Sequence, residues 1–507
     1  MKKAVSTGNN MKMDKGSSIL EVLIAISILT LAISAAVMIS FASQSVEVDT
    51  ETSHEALFMA KEILEDARAD SRENFLSVNT SVPEIETSGI PYTKQLQILD
   101  DTACRKTATS TITWNVSPLR PITIELTTIL GDIAGVFALG GDCDIEPIGD
   151  WDNPYSPESD NIIGQSNATD IDIQDNFVYI TTDPSAPGKD DFFIYEFDPV
   201  ALTLTPRGSL DISIGVNALD VAGNYAYLAN ASTTGTESSE ELVIIDITDK
   251  DNPSPLPFPL TLGITPNCPS FCPGGAQSIY YLDGRIYIGT HRIGGDEFYV
   301  VDVSDIPLTP PSIIRSLNVN HNVNDIVVRD GYAYLAVSDN SGELHVYNVS
   351  DPGPISFVDS FDANNTASDD EDGLSLYLIG NKVYLGRERV SNPSKRDFYI
   401  VDADITSPTF LSELGSQNLG LGPSAIGTVG LVVRGSLAFL AIDDSTTAFK
   451  ILNISNPLGI VDHTVCTSLN FSENTTAMDM ENNSIFIANR SNAEIRLVQD
   501  QPSQCAL

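Results

Sequence analysis

Side chains able to do chemistry are unevenly supplied in this chain. Lys and Arg together number 27 against 69 Asp and Glu, a formal net charge of −42. That balance argues against nucleic acid or anionic lipid head groups as the main partner, and toward neutral, cationic or metal-bearing ones. Basic residues therefore stand out where they cluster in loops: His291 with Arg292, and Arg387, Arg389, Lys395 and Arg396. They are candidate ligand-binding residues for an acidic glycan or a surface carboxylate, the alternative being local charge balance. Asp362, Asp369, Asp370, Glu371 and Asp372 form an oxygen-rich stretch, with Asp369, Asp370 and Asp372 as weak Ca2+ candidates. The glycine and terminal glutamate of a calcium loop are out of register, and no other cofactor is indicated. The five histidines, His54, His291, His321, His345 and His463, make no H-E-x-x-H, and the sequence has no G-x-S-x-G elbow or P-loop. The expectation is a binding protein and not an enzyme. The rival is a surface hydrolase or lyase for glycans or peptides, assembled from distant residues.

The elements that must position these loops repeat. Seven segments, Asn176-FVYI, Asn224-YAYL, Gly284-RIYI, Gly331-YAYL, Asn381-KVYL, Ser436-LAFL and Asn483-SIFI, place Tyr179, Tyr227, Tyr287, Tyr334, Tyr384, Phe439 and Phe486 at intervals of 47 to 60 residues. Short strands at that period predict a propeller. A turn dipeptide such as Asp283-Gly284 or Asp330-Gly331 precedes each landmark, and its residues tolerate the positive φ of two-residue hairpins. An apolar strand follows, as in Leu242-VIID-Ile247 and Phe298-YVVD-Val303. The tight turns and the Asp-x-x-x-Pro links should emerge on one face, and loops of very unequal length on the other, where recognition usually lives.

The motif Leu242-VIID followed by Thr248-DKDN-Pro253 resembles the LVIVD-repeat proteins, bacterial exported β-propellers. The resemblance implies fold and export; it carries no shared catalytic residue.

Residues 19–42 are almost wholly apolar, long enough to span a bilayer, yet Glu21 lies near their start, where a charge is costly without a partner. Lys15-GSSILE-Val22 at the head of this run resembles the class III leader of type IV pilins and pseudopilins. The resemblance implies cleavage by a prepilin peptidase after Gly16, a mature N-terminus at Ser17, and pairing of Glu21 with the amine of a neighbouring subunit. Mature pilins often begin with Phe, so N-methylation of Ser17 is less firmly implied than cleavage. Residues 45–75 carry apolar side chains at three- and four-residue spacing, and 106–116 and 122–130 alternate as strands. The expected organisation is a leader (1–16), a transmembrane and fibre-inserting helix (17–45), a pilin-like α+β head built on a long N-terminal helix and a small sheet (46–148), and an all-β seven-bladed propeller (149–507).

Six cysteines fall into three local pairs, Cys104 with Cys143, Cys268 with Cys272 and Cys466 with Cys505. They fit disulfides formed outside the cytoplasm, a zinc site being the rival. The pilin resemblance makes Cys104 and Cys143 a staple of the head. Together these readings describe a minor, tip-located pilin-like protein at the bacterial cell surface, membrane-anchored before assembly, with an adhesive or ligand-binding head. Its implied partners are other pilin subunits, the inner-membrane assembly machinery, the prepilin peptidase and an extracellular ligand, with no nucleic acid. A pseudopilin of a secretion or uptake machine is the further alternative.

Overall fold

The computed structural model describes residues 29–31, 33–35, 38, 52–72, 75, 78–86, 90–102, 105–117, 120–131, 151–160, 167–183, 189–212, 215–232, 240–262, 274–292, 295–363, 371–444, 446–463, 469, 471, 473–490 and 494–501. The chain divides into two compact units, Met1–Ile133 and Ala134–Leu507. Gly16, Ser17, Glu21 and all six cysteines lie outside the described residues.

In the first unit a helix over 52–72 lays Ala56, Ala60, Leu64 and Ala67 on an antiparallel sheet of Glu84–Glu86, Tyr92–Thr102, Arg105–Ser117 and Arg120–Gly131. Tyr92, Ile112 and Trp114 form one end of that core. The expected α+β arrangement on a long N-terminal helix is overturned. The described residues are nearly all β; among them helix is seen at 52–72 and at residues between 29 and 38, and no described helix is long and apolar enough to cross a membrane. The stripe of Ala56, Ala60 and Ala67 on the 52–72 helix lies against the sheet, and tertiary packing of this kind supports a helix.

The second unit is a ring of seven four-stranded antiparallel blades, strands A to D running outward from the axis. The A strands are Ala168–Gln174, Val216–Ala222, Gly274–Leu282, Val323–Arg329, Gly373–Ile379, Thr428–Arg434 and Thr475–Glu481 for blades 1 to 7. Blade 7 takes its D strand from the other end of the unit: Pro154–Asp160 pairs with Ile495–Asp500 and closes the ring. The A–B turns adopt the expected left-handed backbone, with φ of 56° and 62° at Asp175 and Asn176 and 52° and 79° at Asp330 and Gly331. Strands B and C are buried on both faces, which is why they read as continuous apolar runs. The acid or amide ending each C strand has a local task. Asp246, Asp302, Asn348, Asp402 and Asn453 each accept the N–H two residues on, turning the chain into the C–D link.

Candidate functional site

The A strands enclose a cavity of about 800 Å³. Six have a β-bulge at the second residue, for example between Val216 and Ala218 and between Val323 and Asp325, and Gly274–Leu282 has one between Ala276 and Ser278; bulges re-aim side chains. The bulged residues reach the next blade: Thr169 donates to the Val216 carbonyl, Asn217 to Ala276 and Asn324 to Gly373. Five aspartates continue this belt around the cavity. Asp170 accepts from Leu219 N–H, Asp172 from Val221, Asp220 from Tyr281, Asp325 from Leu376 and Asp479 from Ile173, always across a blade boundary. An innermost strand leaves one row of backbone groups unpaired, and these carboxylates satisfy part of that row.

Burial among the strands pushes the carboxyls of Asp170, Asp220 and Asp325 up to about 7 from the ordinary 3.8. Asp172 is also raised, first by burial and then by the charges of Asp479 and Asp220. The sign follows: with the folded value above the unfolded one, the native state holds extra protons between about 4 and 7. The associated stability is complete below that window and lost as pH rises through about 7. Thermal melts are therefore expected to show a more stable propeller at pH 5 than at pH 8. The Asp172→Asn variant, which keeps an acceptor for Val221, should gain about 1–3 kcal/mol at pH 8 and flatten the slope; an unchanged slope would remove the belt as its cause.

A second carboxylate ring sits just before the C strands: Asp191, Glu241, Glu297, Glu343, Asp397 and Glu494 are all buried. Five of them accept backbone N–H groups just beyond the D strand of the same blade, from Ile212, Leu262, Val319, Ala363 and Leu419. They tie down the loops that lead into the following blades.

The cavity reaches the unequal-loop face at Asn167, Asp183 and Arg490. Asn167 bonds Asp183, while Arg490 pairs with Asp443, itself bonded by Asn474. Asp372, Glu388 and Asp443 are pushed up mainly by burial, Asp372 to about 6.

The structure separates the basic residues singled out in the sequence. Arg292 is exposed, and its backbone N–H donates to Asn322; His291 is half-buried and its ring is pushed down by burial. Half-buried Arg389 donates its backbone N–H to Ile426. Arg396 turns a guanidinium nitrogen onto the carbonyls of Pro393 and Lys395, and Lys395 lies 3.7 Å from Glu371. Arg387 is not a loop ligand. It is fully buried, paired with buried Glu343, donating to the carbonyls of Glu371 and Arg396 and lying over the Tyr399 ring. Its place at the end of a buried B strand, Lys382–Arg387, is the reason. Asp369 and Asp370 lie outside the described residues; Asp372 faces Glu388, and among the described residues no group of three His, Cys, Asp or Glu is placed to hold a metal ion.

Sequence reasoning missed both carboxylate rings. Their signal was present: an acid two or four residues after the start of several A strands, and one immediately before six C runs.

One repeat family matches two of the blades. The LVIVD repeat family matches residues 216–256 and 321–363, each the length of one blade. The chain is thus a β-propeller that carries LVIVD repeats. Among solved structures it resembles BamB from Moraxella catarrhalis, at 14% identity over 72% of this chain and 99% of that one, with a TM-score of 0.40. It also resembles the WD40 repeats of RRP9, at 9% identity over 70% and 99% with a TM-score of 0.45, and U3-55K, at 9% over 68% and 98% with a TM-score of 0.45. No curated protein matches the chain.

Proposed function

We propose that the propeller is a protein-binding head whose unequal-loop face takes a cationic segment of a partner at the cavity mouth, and that the chain reaches the cell surface as a minor pilin-like subunit behind a processed leader. The observation that carries the binding reading is a set of carboxylates on the face whose loops differ in length: Asp183, which lines the cavity, Asp443, which pairs with cavity-lining Arg490, and Asp372 with Glu388, just before strand A and just after strand B of blade 5. Complementary charge there would steer a basic partner and fix its orientation. The leader reading rests on Lys15-GSSILE-Val22 and the apolar run after it.

Two measurements test it. Binding of the full chain to immobilised lysine-rich peptides should weaken about tenfold, or 1.4 kcal/mol, in Asp372→Asn/Glu388→Gln, and should weaken with added salt. Binding indifferent to both changes would remove the cavity mouth as the site. N-terminal sequencing of protein sheared from its native cells should begin at Ser17, whereas an uncut Met1 would end the pilin reading and leave the head to be explained by another route of export.

A further inference from the structure

On the unequal-loop face of blade 4 two histidines share one carboxylate. His345 Nε2 lies 3.2 Å and His321 Nε2 3.3 Å from Asp339 Oδ2. The side chains are 9%, 23% and 19% exposed for His345, His321 and Asp339, so the cluster is shielded yet reachable by protons. The other ring nitrogens decide its chemistry. His321 Nδ1 lies 2.9 Å from the Ser338 carbonyl oxygen. A carbonyl can only accept, so that nitrogen carries a proton. In a neutral ring Nε2 would then be a bare lone pair facing a carboxylate oxygen, two acceptors in contact. The contact is attractive only when His321 carries both protons. His345 has no such conflict, because its Nδ1 lies 3.2 Å from the Tyr347 hydroxyl, which can donate to it, leaving Nε2–H for Asp339.

We propose that His321, Asp339 and His345 form a proton-operated latch. It ties the segment entering blade 4, Val319–Asn322, to the B–C turn of that blade. The segment has few other holds: Val319 and Asn320 donate to Glu297, Asn320 takes a φ of 66°, Asn322 N–H donates to Ser338 Oγ, and Ser338 N–H donates back to the Asn322 carbonyl. Asn322 in turn accepts from the Arg292 backbone and bonds the His291 side chain, so release of His321 would loosen the blade 3 loop as well. The charged and titratable groups around His321 are Asp339 and His345 from blade 4 and Asp372 from the start of blade 5. Asp339 is held low despite its burial, by Ser341 bonds and both imidazoles, so it keeps its charge when the latch is shut. Asp372, whose carboxyl burial pushes up to about 6, opposes the latch's opening once it is charged and does not drive it. Acid therefore shuts the latch, and loss of the His321 proton opens it.

The experiment is amide exchange on the full chain at about pH 5.5 and pH 8.5, corrected for intrinsic chemistry, with side-chain NMR of ¹⁵N-labelled histidine. Protection of Val319–Asn322 should fall about tenfold at the higher pH, and at the lower pH both His321 nitrogens should show protonated shifts. His321→Gln should abolish the pH response; if that variant does not fold, Asp339→Asn must do so instead. Equal protection of the wild-type segment at both pH values overturns the latch, as does a neutral His321 throughout. Protection lost to EDTA and not to alkali would overturn it in favour of a bridging cation.

Discussion

Replacing Arg387 by methionine is expected to destabilise the propeller by about 3–5 kcal/mol, the cost of leaving one buried charge without its partner. Both Arg387 and Glu343 are wholly shielded from water, and the pair bridges the end of strand B in blade 5 to the start of strand C in blade 4. Glu343 also accepts the Ala363 N–H, so its carboxylate must stay in place after the arginine is gone. Burial already pushes that carboxyl up, with Arg387 opposing; without the guanidinium it would fold protonated, and the loss should grow as pH rises. Combining Arg387→Met with Glu343→Gln should recover part of the loss. Denaturant midpoints of the two single variants and the double variant measure this directly. Near-wild-type stability of Arg387→Met alone would show that the buried pair does not hold blades 4 and 5 together.

Deleting residues 151–160 is expected to have the larger effect, loss of the monomeric propeller. These residues supply the outer strand of blade 7 and, one turn earlier, Trp151, whose wholly buried ring packs edge-on against Phe439 at 4.8 Å between centroids. The Trp151 backbone N–H also donates to Asp500. Without them Ile495–Asp500 becomes an open edge beside a hole in the core, a template for pairing with another chain. Size-exclusion should find the shortened protein in aggregates, while Trp151→Ala, which keeps the strand, should remain monomeric and lose about 3–5 kcal/mol. A shortened chain that elutes and melts like the intact one would show that the ring does not depend on this closure.

What could be read from the sequence was local. Each A–B turn announces itself through residues that accept positive φ, and strands B and C through side chains buried on both faces. Strand D faces solvent, so Thr203–Leu210 and Pro154–Asp160 are polar and proline-bearing and resemble loops. The aspartate belt depends on which blade neighbours which: Asp479 finds Ile173 only once the ring is shut. Arg387 looked like a loop residue because its partner lies a blade away. The helix pattern over 45–75 shows an apolar face, and periodicity alone does not say that Ala56, Ala60, Leu64 and Ala67 are the side chains the sheet buries.

Among the described strands of the propeller, the one that shuts the ring is made first and its partner last. A ribosome that stops short, or a protease that trims blade 7, therefore leaves a molecule that has every earlier blade but no seam. The joint between the two strands ties closure to synthesis of the whole propeller: only a chain translated through Asp500 can circularise, and shorter copies keep an exposed edge.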